Sequence, residues 1–128
     1  MEMVAIVIVL ALIEYFTFAI QVGAARAKYE VEAPATTGHP IFERKLRVQQ
    51  NTLEQLVIFL PGIWLFGVYV SPGIAALVGV LFIVGRAIYA ISYVAEPSKR
   101  TVGFMIAFAA EAILVIGALV GAVVAWLG

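Results

Sequence analysis

Phe42-Glu43-Arg44-Lys45-Leu46-Arg47-Val48-Gln49-Gln50-Asn51-Thr52-Leu53-Glu54-Gln55 runs directly into Leu56-Val57-Ile58-Phe59-Leu60 and on to Trp64, so charged and amide groups are threaded into the start of a membrane-length apolar segment. An ionisable group at bilayer depth costs roughly 2.5–3.5 kcal/mol on insertion scales, and it therefore faces a partner, a cavity or a ligand. Arg47, Asn51 and Glu54 stand at i, i+4 and i+7, and at about 100° per residue they share one helix face with Gln50 beside them. That face offers a cation, an anion and amides. It describes a binding site for a small zwitterion better than it describes a lipid-facing surface.

Working outward, the composition agrees that the segment crosses a membrane. Hydrophobic residues make up 64% of the 128 and charged residues 12%, with a mean hydropathy of +1.08. A soluble domain is about half apolar and about one-quarter charged. The chain reads as an all-α integral membrane protein. At about 20 residues per span it has room for four or five helices and no separate soluble domain. A formal net charge of zero provides no basic field for nucleic acid. Cysteine is absent, so disulfides, thiolate metal sites and a cysteine nucleophile are excluded together. Any thiol chemistry must use a thiol supplied by the substrate.

Four apolar segments are legible, at about residues 3–25, 46–70, 74–94 and 101–127, forming one bundle over residues 1–128. Loop one, Arg26 to Lys45, reads as long and polar, with Pro34, Gly38 and Pro40 as breakers. Loop two, Ser71-Pro72-Gly73, is a tight turn that makes the second and third helices antiparallel neighbours. Loop three is Ala95-Glu96-Pro97-Ser98-Lys99, with Ser98 expected to cap the last helix. Basic residues gather at one side: Arg26, Lys28, Arg44, Lys45 and Arg47 near loop one, Arg86, Lys99 and Arg100 near loop three. The positive-inside bias places loops one and three in the cytoplasm and both termini across the membrane. Met1-Glu2-Met3 lacks the basic start of a signal peptide and the first apolar run is too long for one, so a spanning helix is expected there.

A second polar face lies on the third helix, where Arg86, Tyr89 and Tyr93 stand at i, i+3 and i+7. Tyr93 and Arg26 would each serve as interfacial anchors, but two phenols sharing a face with Arg86 make a hydrogen-bonding wall. Arg100 opens the fourth helix, where the helix dipole would favour an acid over a cation. Glu14 and Gln21 in the first helix fit hydrogen bonding within the bundle, and Glu111 in the fourth reads as an interhelical group or a protonated carboxyl. His39 has no companion ligands at metal-binding spacing, so no metal is expected. Gly117 and Gly121, with Gly103 and Ala107, form small-residue stripes for close helix packing.

These residues together resemble the MAPEG family, the membrane-associated proteins of eicosanoid and glutathione metabolism. The resemblance runs through Ala25-Arg26, Pro34-Ala35-Thr36-Thr37-Gly38, Phe42-Glu43-Arg44 and Arg47 to Glu54, then Gly85-Arg86, Tyr89, Tyr93, Pro97 and Arg100. It is closest to the microsomal glutathione transferase and leukotriene C synthase branch. It departs from the leukotriene synthases at Gln55, where they often carry an aromatic, and at Ala27, where they carry a second arginine. The resemblance implies a homotrimer with glutathione bound between subunits near the cytoplasmic surface. It also implies glutathione contacts from Arg26, Arg47, Gln49, Asn51, Glu54, Arg86, Tyr89 and Tyr93, and thiolate stabilisation by Arg100. Gln49 points about 200° from Arg47 on an ideal helix, which suits a site shared between subunits. The expected activity is conjugation of glutathione, as co-substrate, to hydrophobic electrophiles that enter from membrane lipid. Peroxidase action on lipid hydroperoxides would be a second use of the same thiolate. A bacterial inner membrane is the expected location. The alternative within the family is a non-catalytic lipid-binding or regulatory protein. A small transporter fits less well, since the polar groups gather at one side instead of lining a path across.

Overall fold

The computed structural model describes residues 1–128 as four long helices: α1 (Glu2–Tyr29), α2 (Pro40–Tyr69), α3 (Pro72–Ala95) and α4 (Thr101–Leu127), with a 3-10 turn at Pro97–Lys99 before α4. Each is long and apolar enough to cross a membrane. Large apolar side chains also point outward: Val57, Leu77 and Ile91 are 70%, 71% and 74% exposed. In water such a surface would aggregate, whereas in hydrocarbon it is the solvated face.

The helices extend further than hydropathy predicts. α1 continues through Arg26 and Lys28 to Tyr29, and α2 begins at Pro40 instead of Leu46, leaving only residues 30–39 as loop one. Arginine and lysine are good helix formers, and proline is well placed in a first turn because its missing N–H has no helical partner there. His39 completes the start of α2: its Nδ1 accepts from the Ile41 N–H at 3.1 Å, and its ring stacks on Tyr29 with centroids 3.7 Å apart. Glu30 ends α1 in the left-handed conformation, φ 56°. The second turn behaves similarly. Ser71 caps α3 by accepting from the Ile74 N–H at 3.3 Å, while Pro72 and Gly73 already belong to the helix. Ser98, expected to cap α4, does not. Arg100 occupies that position without a side-chain cap, and the Ser98 hydroxyl donates to Glu96 Oε1 at 3.0 Å.

The core runs along the bundle through Val4, Val7 and Ala11 of α1, Leu56, Phe59 and Ile63 of α2, Phe82 of α3, and Ala107, Ala110 and Leu114 of α4. Phe59 and Phe82 stack at its centre, 3.9 Å apart. The small residues of α4 divide between two neighbours: Gly117 and Gly121 abut Phe66 and Tyr69 of α2, whereas Gly103 abuts the Tyr89 backbone of α3. A Cβ at Gly85 would fall 2.7 Å from Ala107 N, and one at Gly103 would fall 2.7 Å from Tyr89 Cα. Only glycine permits this backbone approach. Its consequence is positional: Tyr89 is held against the first turns of α4. Loops one and three share one end of the bundle, where Arg44 Nη1 donates to Val94 O at 3.0 Å.

Candidate functional site

At that end the N-terminal part of α2, the C-terminal part of α3 and the start of α4 border an open cleft of about 680 Å³. Its lining is Arg47 and Asn51 from α2, Tyr89 and Tyr93 from α3, and Arg100 at the cap of α4 with Thr101 and Phe104 from its first turn. Each pair sits one helical turn apart, so each helix contributes a single short stripe. Tyr89 and Tyr93 stack at 5.5 Å, and Phe104 tilts against Tyr89 at 6.3 Å. Two guanidinium groups and no carboxylate line the space, and the opening turn of α4 adds free backbone N–H groups and a partial positive charge. The charge of this lining favours an anion.

The two guanidinium groups are held differently. Arg100 Nη1 donates to Pro97 O at 2.9 Å, anchoring the side chain to the turn before α4. Arg47 Nη1 instead pairs with Glu54 Oε1 at 3.3 Å, two turns along the same helix. Both members of that pair are about half exposed, so the bridge is worth only about 0–1 kcal/mol and yields readily to a ligand. Beneath the cavity Arg86 is completely buried. Its Nη2 donates to Asn51 Oδ1 at 2.8 Å and to Thr52 Oγ1 at 2.7 Å, and its guanidinium lies 4.3 Å from the centroid of the Tyr89 ring.

Of the nine residues expected at a site, five therefore meet at the cavity: Arg47, Asn51, Tyr89, Tyr93 and Arg100. Arg86 supports it from below and Glu54 borders it through Arg47. Two are elsewhere. Arg26 donates through Nη1 to Ala35 O at 2.8 Å and lies over the Phe42 ring at 4.7 Å, where it clamps loop one. Gln49 is half-buried on another face of α2 and does not line the cavity. Thr52, Thr101 and Phe104 were not anticipated. Thr101 and Phe104 follow Arg100 on one turn, a signal that becomes readable only once α4 is known to start against Tyr89.

This arrangement has known relatives. The MAPEG family profile matches residues 4–120. The chain belongs to the MAPEG family. An uncharacterized protein of the cyanobacterium Synechocystis is 52% identical over 115 residues, covering 90% of this chain and 84% of that protein. Human microsomal glutathione S-transferase 2 is 40% identical over 118 residues, covering 91% and 80%. Bovine leukotriene C4 synthase is 37% identical over 83 residues, covering 65% and 55%. This MAPEG chain is accordingly a multi-pass integral membrane protein. Its cavity lies within the matched region, and no group of three or more metal-ligating side chains accompanies it.

Proposed function

We propose that this MAPEG chain is a membrane-bound glutathione transferase that conjugates glutathione to hydrophobic electrophiles. One observation carries the reading: Arg47, Asn51, Tyr89, Tyr93 and Arg100, from three helices, meet around one anion-accepting cavity. At about 680 Å³ it falls within the roughly 300–1,000 Å³ of small-molecule sites. Glutathione brings two carboxylates, an ammonium, amides and a thiol. Arg47 leaves its exposed bridge to take a carboxylate, and the freed Glu54 takes the ammonium. Asn51, Tyr89 and Tyr93 serve the amides and the thiol, with Arg86 holding Asn51 and Tyr89 from below.

Arg100 stabilises the thiolate. A free thiol has a pKa near 8.5, and a fixed guanidinium beside the sulfur favours the anion by about 1.4 kcal/mol for each unit of depression. The thiol proton leaves to water and the sulfur lone pair attacks the electrophilic carbon. A halide then departs with its bonding electrons, or an epoxide opens and its oxygen takes a proton from water. Phe104 stacks on Phe108 at 6.1 Å, and Phe108 is exposed on the apolar surface, which marks an aromatic route from the bilayer to the sulfur.

Arg26 and Gln49 are assigned to the site of a neighbouring subunit in a homotrimer, with the basic end of the bundle in the cytoplasm. Neither residue lines the cavity of its own chain. The test is direct: purified protein in lipid nanodiscs is titrated with glutathione while thiolate absorbance is followed, then assayed with aryl halide, epoxide and lipid hydroperoxide substrates. Saturable conjugation is expected. Reduction of the hydroperoxide with formation of glutathione disulfide would add a peroxidase activity. Lipid binding without any glutathione response would leave the non-catalytic alternative.

A further inference from the structure

Gln21, expected to hydrogen-bond within the bundle, is exposed on α1 instead. It borders a groove of about 490 Å³ between α1 and α3, lined also by Phe18 of α1, Lys45 of α2, and Ala90, Ile91 and Val94 of α3. At about 100° per residue the three α3 positions centre about 130° around that helix from Tyr89 and Tyr93. The groove is therefore separate from the cleft of the candidate site. Ile91 is exposed on the outer surface of the bundle, so in a membrane the groove opens to hydrocarbon. Lys45 supplies the only charge in its lining. The direction of that side chain follows from spacing: Lys45, Thr52, Leu56 and Ile63 fall within about 20° of one line along α2, and the last three are buried in the bundle. The inward stripe of α2 thus ends in a half-buried ammonium at the basic end. The ion pairs of the chain are Met1 with Glu2, Arg47 with Glu54 and Lys99 with Glu96, so no acid of the protein neutralises Lys45. Arg44 Nη1 donates to the O of Val94, a groove residue, at 3.0 Å, which fixes the start of α2 against the end of α3.

A half-buried cation among apolar side chains calls for an anion, and basic pockets between transmembrane helices bind anionic lipid head groups. We propose that the groove between α1 and α3 is a binding site for an anionic phospholipid. Lys45 pairs with the phosphate, the Gln21 amide donates to a second phosphate oxygen or an ester carbonyl, and an acyl chain lies along Phe18, Ala90, Ile91 and Val94. The charge decides between occupants: a protein segment would have to bring an acid to the edge of the hydrocarbon to meet Lys45, whereas a phospholipid carries its anion at that depth already. One bound lipid touches α1, α2 and α3 together, so its binding stabilises the bundle. The site is independent of the glutathione reading.

Native mass spectrometry of the full chain, released from nanodiscs of phosphatidylglycerol or phosphatidylcholine with identical acyl chains, tests the proposal alongside thermal unfolding in detergent as each lipid is added. Wild-type protein should retain phosphatidylglycerol about fivefold or more over phosphatidylcholine and unfold at a higher temperature with it. Lys45→Gln should abolish the preference and Lys45→Arg should keep it. Lys99→Gln removes a cation already paired with Glu96 and should leave the preference unchanged. Ala95→Trp, at an exposed position of the lining, should lower retention of both lipids by filling the groove. Equal retention of the two lipids by wild-type protein, or a preference that survives Lys45→Gln, overturns the proposal. Stabilisation by inorganic phosphate or by myristate that equals that of phosphatidylglycerol would make this a site for a free anion or a fatty acid, and overturns it too. A changed oligomeric mass in Ala95→Trp with no loss of lipid would give the groove to a second copy of the chain. If Lys45→Gln does not fold, Gln21→Leu should lower phosphatidylglycerol retention by about twofold or more, and unaltered retention there overturns the proposal equally.

Discussion

Gly103→Ala is the smallest change that should disable this site from outside it. A methyl at residue 103 would fall 2.7 Å from Tyr89 Cα and 2.8 Å from Gly85 O, and closer still to Tyr89 N. Those neighbours are backbone and cannot swing aside, so α3 and α4 must separate by roughly 0.7 Å or more to restore ordinary contact, an overpacking that costs about 1–3 kcal/mol. The shift falls where α3 delivers Tyr89 and α4 delivers Arg100. Misplacing reacting groups by about 1 Å can cost on the order of 10²-fold in rate, so kcat/KM should fall by about tenfold even in protein that remains folded at assay temperature. Gly23→Ala is the control, because a Cβ there meets nothing within 4 Å. Thermal unfolding of both variants in nanodiscs, with glutathione conjugation kinetics below the transition, makes the comparison. Gly103→Ala with wild-type kinetics and unfolding temperature would show that the close α3–α4 approach does not set the site.

Arg100→Ala should retain much of the glutathione affinity, lose the thiolate absorbance of the bound ligand and slow turnover by at least about tenfold, corresponding to about 1.4 kcal/mol or more of lost anion stabilisation. Arg100→Lys should be intermediate, since the charge survives without the planar fork. Full turnover and a full thiolate signal in Arg100→Ala would move the activating role to another group. Glu54→Gln should raise the glutathione dissociation constant more than it lowers kcat, and an unchanged constant would remove Glu54 from the site. Subunits carrying Arg47→Ala, co-assembled with subunits carrying Gln49→Ala, should recover a fraction of the wild-type conjugation that neither shows alone. Failure to recover any would rule out a site shared between subunits.

The helices were legible because a run of about 20 apolar residues has few other interpretations, and their ends were not, because hydropathy reports the membrane boundary and not the helix boundary. Arg26 and Lys28 leave the apolar zone yet continue α1, and Pro40 and Pro72 start helices where they read as breaks. Within the site, Arg47 with Asn51 and Tyr89 with Tyr93 could be read because each pair shares one helix and one periodicity. Contacts between helices were a different matter. Thr52 projects toward α3, away from the stripe that drew attention to its neighbours, and its bond to Arg86 appears only when the helices are packed. The bond from Gln55 to Glu111 is hidden for the same reason, and Thr101 with Phe104 depends on the glycine approach at residues 85 and 103. The loop-three serine misled because a good capping residue lay two residues too early, in the 3-10 turn.

The arginines at the basic end show how one side-chain type can be given different work by its second contact. Arg26 is committed to Ala35 O and Phe42, which fixes the loop that α1 enters. Arg86 is committed to Asn51, Thr52 and Tyr89 and has no opening to the cavity. Arg47 is held only by an exposed carboxylate, so exchanging Glu54 for a ligand carboxylate costs little, which suits the binding role proposed for it. Arg100 is tied at one nitrogen to a backbone carbonyl, leaving its other donors aimed from a fixed base. Electrostatic stabilisation of a developing or resident anion is strongest when the donors need not reorganise, and that condition is met at Arg100 and not at Arg47. The proposed division of labour between binding and thiolate stabilisation thus rests on what anchors each guanidinium, since both are equally charged and both face the same cavity.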